Sequence, residues 1–227
     1  MSSQPPPSIE LEFARRYDQA HARVCLQPHP VGLWPRLMLW RHEQLVRRAL
    51  KHAGEPGLVL DLACGAGRFW PVLGEHGNRV VLAADHSQDM LNHALTHHSA
   101  SLLKRIKTFQ SSAFDIGLSA NAVDCIFCMQ LFQHLACAEQ RLALLREFHR
   151  VSRDGVIVAV RIAGRCNGVS GRLNDPGSPS WPSQGQPLAD KWQLEAEFKS
   201  AGFEVVNHQD FIPGCGVSRV YVLRKRG

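Results

Sequence analysis

Apolar positions along the chain alternate between two rhythms. Short runs rich in aliphatic and β-branched residues read as β-strands: Leu58–Leu62, Val80–Ala84, Ile106–Gln110, Val123–Met129, Val156–Ile162, Phe203–Val206 and Ser218–Arg224. Between them, apolar residues recur at helical spacing. Arg36–Ala53 carries Leu37, Trp40, Leu45 and Leu50 and closes on Gly54. Ser87 is placed to cap a helix that turns Met90, Leu91, Ala94 and Leu95 inward. Glu139–Arg150 sets Leu142, Leu145 and Phe148 on one stripe, and Lys191–Ala201 is stopped by Gly202. Strands alternating with helices predict an α/β fold, a parallel doubly wound sheet with right-handed crossovers. A chain of 227 residues is long enough for one domain with a sizeable core, and nothing in it forces two.

The stretch Leu58–Trp70, LVLDLACGAGRFW, carries the clearest chemistry. The first strand holds one acid, Asp61, and runs straight into Cys64-Gly65-Ala66-Gly67. Glycines there let the backbone turn tightly against a ligand, and the helix expected from about Phe69 offers free N–H groups to it. The second strand ends in another acid, Asp85, where a nucleoside ribose is gripped in sheets of this type. The pattern is that of a nucleoside-cofactor site. A dinucleotide fingerprint needs a third glycine where this chain has Trp70, and a pyrophosphate gains nothing from the neighbouring Asp61. The cationic amino-acid end of S-adenosylmethionine does gain from it.

These residues resemble a known family. Asp61–Arg68, DLACGAGR, with Asp85 ending the next strand, is similar to motif I and its successor in class I S-adenosylmethionine-dependent methyltransferases, of the small-molecule, UbiE-like kind. Ala122–Met129 looks like the family's fourth strand, and Ala201–Val206, AGFEVV, like the approach to its sixth. The resemblance spans roughly Ala49 to Arg224. It implies a Rossmann-like seven-stranded sheet of order 3-2-1-4-5-7-6 with strand 7 antiparallel, and the cofactor S-adenosyl-L-methionine with S-adenosyl-L-homocysteine as product. On that alignment Asp61, Cys64, Gly65 and Gly67 cradle the methionine portion, and Ala63 adds backbone contacts. Asp85 takes the ribose hydroxyls, with His86 beside it, and Met90 packs near the adenine. The loop after strand three, with Ser112, Ala113 and Phe114, faces the adenine, although Ser112 stands where the family usually has an acid. Met129 and Gln130 close the pocket at the end of strand four.

Methyl transfer needs a general base only when the acceptor arrives protonated. His134, four residues beyond Gln130, is the candidate; His29 and Tyr17 are weaker ones. Trp181, and Trp34 with Trp40 near the N-terminus, suggest a partly apolar acceptor pocket, with Tyr17 a further substrate candidate; the chain divides into an N-terminal extension or substrate cap over 1–35 and a core of 36–227 with a lid-like loop over 163–187. That loop is rich in glycine and proline, as lids, substrate walls and linkers are.

Composition narrows the partners. Hydrophobic residues make up 44% and charged ones 20%, an ordinary globular balance. No window suggests a transmembrane helix, and the proline-rich start is no signal peptide, so a cytoplasmic location is the default. Seven cysteines scattered through expected strands argue against a disulfide framework. Cys125 and Cys128 share one strand at an offset of three, which sends them to opposite faces; they read as buried hydrophobes, and no metal site is expected. His93, His97 and His98 read as a solvated helix face. A net charge of +6 leaves a polyanion partner open, yet the basic residues lie on one helix (Arg36, Arg41, Arg47, Arg48 and Lys51) and a tail (Arg224–Arg226), without interleaved stacking aromatics. That helix could also meet an anionic lipid surface. The expected function is therefore an S-adenosylmethionine-dependent methyltransferase acting on a small molecule. A non-catalytic cofactor-binding regulatory module is the first alternative, and an RNA or other nucleic-acid methyltransferase the weaker one. Nothing in the sequence addresses the oligomeric state.

Overall fold

The computed structural model describes residues 33–129, 131–135, 137–162, 190–212 and 218–226. Seven strands form one sheet: β1 (Leu58–Leu62), β2 (Val80–Asp85), β3 (Ile106–Gln110), β4 (Val123–Cys128), β5 (Ser152–Arg161), β6 (Phe203–Asp210) and β7 (Ser218–Lys225). Their order is β3-β2-β1-β4-β5-β7-β6, and β7 runs antiparallel to both neighbours. This is the expected topology. The helices are α1 (Leu33–His52), α2 (Trp70–Leu73), α3 (Gln88–His97), α4 (Ala100–Leu103), α5 (Ala138–Val151) and α6 (Lys191–Ser200), with a 3-10 turn over Phe132–His134.

Central strands buried on both faces explain why their sequences are almost continuously apolar. On one face Leu60, Leu62, Ile126 and Val156 join Leu144, Leu145 and Phe148 of α5 and Leu194 and Phe198 of α6. On the other, Val59, Val81, Phe127 and Ile157 pack with Leu45, Val46 and Ala49 of α1 and Trp70, Val72 and Leu73 of α2. Alternation of side chains along β4 places Cys125 in the second layer and Cys128 in the first, on opposite faces as the offset of three requires. Burial pushes both thiols up to about 12.

Two helices sit rotated from expectation. The inward stripe of α5 is Leu144, Leu145, Phe148 and Val151, whereas Leu142 is only half-buried. Arg141 takes the inward position instead, forked onto Glu197 of α6 at 2.8 and 2.7 Å. In α3, Met90, Leu91 and Ala94 are buried but Leu95 is exposed, so the helix turns a narrower face to the sheet. Ser87 caps it as its residue type predicts, accepting from the Met90 N–H at 3.4 Å. β5 and β6 also run longer than their apolar runs, beginning at Ser152 and ending at Asp210, because ladder hydrogen bonds to β4 and β7 carry polar residues into the sheet. The extension over 1–32, with Tyr17 and His29, and the loop over 163–187, with Trp181, lie outside the described residues, as does Gln130. Trp34 starts α1, but its side chain is likewise outside them.

Candidate functional site

The carboxyl ends of β1, β2 and β4 meet at one edge of the sheet, and the loop after β1 is folded over them. Its backbone is unusual: Ala63, Gly65 and Gly67 all have positive φ, at 57°, 53° and 72°. A side chain is costly in that region, so glycine at 65 and 67 is a requirement of the turn. At Gly67 it is also a matter of space, since an added Cβ would lie 2.5 Å from the Trp70 indole. The loop is tied down by the Cys64 N–H donating to the Ala84 carbonyl at 3.1 Å and the Gly67 N–H donating to the Cys64 carbonyl at 3.0 Å. Met90 reaches beneath it from α3, its methyl 3.5 Å from where a Cβ on Gly65 would sit.

Two buried acids flank this loop. Asp85, 1% exposed, accepts the Gly65 N–H at 2.8 Å on one oxygen and the Ser87 N–H at 3.0 Å on the other. It thereby links the end of β2 to both the glycine loop and the start of α3. Asp61, 3% exposed, accepts the Trp70 indole N–H at 3.1 Å. Burial raises the Asp61 carboxyl to about 8; the indole hydrogen bond opposes this shift and the negative charge of Asp85 adds to it. The Cys64 thiol between them is also pushed up, by burial and then by both carboxylates. At neutral pH Asp61 is therefore largely protonated, and a cation placed beside it would favour its ionised form.

The remaining predicted positions distribute around this centre. His86 follows Asp85, and its carbonyl accepts from the Gln110 side chain at 2.7 Å. Beyond β3, the Ser112 hydroxyl accepts the Phe114 N–H at 3.1 Å and closes a tight turn. Phe114 and Ala113 pack into the core layer of Leu60 and Leu62. Met129, at the end of β4, is half-buried against the layer containing Phe69 and Phe127. His134 lies on the 3-10 turn, half-buried, its N–H bonded to the Leu131 carbonyl at 3.0 Å. Direct contacts thus gather Asp61, Cys64, Gly65, Gly67, Asp85 and Met90. Sequence reasoning missed that Trp70 is an active part of the cluster; it read this residue only as the absence of a third glycine.

A family model described as "Methyltransferase domain" matches residues 59–155, which takes in β1 to β4, the glycine loop and both acids. The match covers the cofactor half of the sheet and less than half of the chain. No curated protein matches its sequence. Solved structures share the methyltransferase fold across most of the chain at low identity. Magnesium protoporphyrin IX methyltransferase (ChlM) from Synechocystis PCC 6803, crystallised with bound SAH, is similar at a TM-score of 0.67 and 16% identity, covering 97% of this chain and 100% of that one. The [4+2]-cyclase SpnF is similar at 0.63 and 17%, covering 81% and 80%. The mitomycin 7-O-methyltransferase MmcR is similar at 0.64 and 15%, covering 83% and 54%. Among the described residues of this methyltransferase-fold protein, no helix is long and apolar enough to cross a membrane.

Proposed function

We propose that the protein is an S-adenosyl-L-methionine-dependent methyltransferase acting on a small-molecule acceptor. The observation that carries this reading is the pair of buried acids, Asp61 and Asp85, at the ends of adjacent strands on either side of a positive-φ loop. The donor set fits the cofactor. Asp85, which accepts one backbone N–H on each oxygen, is a charged acceptor of the kind that vicinal ribose hydroxyls need. Asp61 and the Cys64–Gly67 loop suit a cationic amino-acid end, and Met90 offers a flexible apolar surface to a base. When bound, S-adenosyl-L-methionine supplies an electrophilic methyl on a sulfonium.

The protein's own part is to hold, align and dry the site. Alignment of reactants alone supplies up to ~7–11 kcal/mol in well-organised systems. His134 is the base in this reading, taking a proton from a protonated acceptor, and Tyr17, Trp34 and Trp181 contribute to the acceptor pocket. The relatives named as methyltransferases of magnesium protoporphyrin IX and mitomycin support a small, partly apolar acceptor. Among the described residues the unpaired thiols of Cys64, Cys125, Cys128 and Cys137 support a cytoplasmic location. Likeness to a [4+2]-cyclase favours one second reading, in which the same frame works without methyl transfer.

Calorimetry tests the cofactor step: micromolar binding of S-adenosyl-L-homocysteine and no measurable binding of NAD are expected, and tight NAD binding would overturn the assignment. Labelled methyl transfer to a panel of small acceptors, with RNA and DNA as parallel arms, separates the two readings. Cofactor binding without transfer to any of them would favour the second.

A further inference from the structure

We propose that His98 is a positioning residue for the methionine-holding loop of the cofactor site, acting through Ala66 and Trp70. The proposal rests on the cofactor reading above and extends it to a residue outside the glycine motif. His98 follows α3, in the crossover from β2 to β3, while the loop it touches belongs to the preceding crossover. Its Nε2 lies 3.1 Å from the Ala66 carbonyl, at the apex of the Cys64–Gly67 turn. A carbonyl only accepts, so Nε2 carries the proton in this contact. The imidazole also lies against the Trp70 indole, with ring centroids 4.9 Å apart.

Trp70 is the second half of the device. One edge of its indole fills the space that an added Cβ at Gly67 would need, and its N–H holds the Asp61 carboxyl. The indole is fully buried, so its position fixes both the turn at Gly67 and the direction of Asp61. His98 bears on that indole from one side and on the Ala66 carbonyl from the other. One side chain thus secures the apex of the glycine turn and the group that aims the buried acid. Every atom it secures lies on the Asp61 and glycine-loop side of the site. Neither the Ala66 carbonyl nor the Trp70 indole belongs to Asp85, which accepts the Gly65 and Ser87 backbone N–H groups. Its influence should fall on ligands that carry an amino-acid end.

That asymmetry gives a readout that a merely structural residue would not move. S-adenosyl-L-homocysteine and 5′-methylthioadenosine share the adenosine portion, and only the first has the amino-acid end. Both are titrated calorimetrically into the full-length protein and its variants, with thermal melts alongside. His98→Ala should weaken S-adenosyl-L-homocysteine about 3- to 10-fold, the scale of one net hydrogen bond, and leave 5′-methylthioadenosine within about two-fold. His98→Gln keeps an N–H donor and should recover most of the loss; His98→Phe keeps the ring against Trp70 without the donor and should recover less. An unchanged affinity for S-adenosyl-L-homocysteine in His98→Ala would overturn the proposal, as would equal weakening of both ligands. Either result would leave the cofactor reading standing. If the unaltered protein binds neither ligand, the cofactor reading falls and this inference falls with it.

Discussion

Acids are held in opposite ways in two regions of the sheet, although the buried Arg79 beside β2 also has an acid partner, Glu55. On the β5-β7-β6 side, acids meet guanidinium forks: Arg141 on Glu197 at 2.8 and 2.7 Å, and Arg219 on Asp210 at 2.6 and 3.1 Å. On the β1-β2 side, Asp61 is held by an indole N–H and Asp85 by two backbone N–H groups. A fork satisfies a carboxylate's charge and geometry together, and leaves little for a ligand to add. The indole N–H, a neutral donor, meets a hydrogen-bonding need of Asp61 and leaves this acid able to respond to an incoming cation. The first arrangement reads as architecture, the second as a site.

The largest effect should come from breaking a fork. Glu197→Gln leaves Arg141 buried with no charge partner at that position, and should cost about 3–5 kcal/mol in chemical denaturation. The affinity of the fraction that remains folded for S-adenosyl-L-homocysteine should hardly change. A loss of affinity without a loss of stability would erase the distinction between the two sides.

Asp85→Ala comes next. It removes a charged acceptor from two hydroxyls, at ~1.5–3 kcal/mol for such a bond, so calorimetric affinity should fall at least about ten-fold. The same substitution strips the Gly65 and Ser87 N–H groups of their partner, so the melting temperature should fall too.

The sharpest test of the site side concerns Asp61. Its carboxyl stands at about 8 in the folded protein, against ~3.9 in an unfolded chain. An acid raised on folding contributes stability that is complete below the unfolded value and is lost as pH rises through the folded one. Apo stability should therefore decline as pH rises from about 4 to about 8. Asp61→Asn, which keeps an acceptor for Trp70, should flatten that decline. A cationic ligand should bind more tightly as pH rises through the same window, and the variant should lose this dependence as well.

Much of this was legible from residue order. β1 has the bounds its apolar run predicts, because a strand buried on both faces leaves a continuous signature; β3 has its predicted bounds too, although it is an edge strand with Lys107 and Gln110 exposed. Asp61 and Asp85 stood out as lone acids at the ends of such runs. The polar half of β6, Asn207 to Asp210, left no signature, since an edge strand needs only ladder partners and β7 supplied them. The rotation of α5 was hidden because Arg141 reads as a surface residue until its partner Glu197, on another helix, is known. The bond from Trp70 to Asp61 spans nine residues around a turn whose φ values no hydrophobic pattern encodes. His98 was read as part of a solvated histidine face, because its partners lie in another crossover and only the fold brings them together.

Strand β7 lies between β5 and β6, paired on both sides, although it follows both in the chain. During synthesis β5 can pair with β4 as soon as it emerges, but its other edge must wait until residues 163–217 have been made. For that interval Val156, Ile157 and Val158 sit on a strand with one row of unpaired N–H and C=O groups, which is a template for another chain. The nascent protein is thus most exposed to aggregation late in translation, when five of the seven strands can be paired and β6 still waits for β7. Loss of the residues that form β7 would turn that brief state into a permanent one.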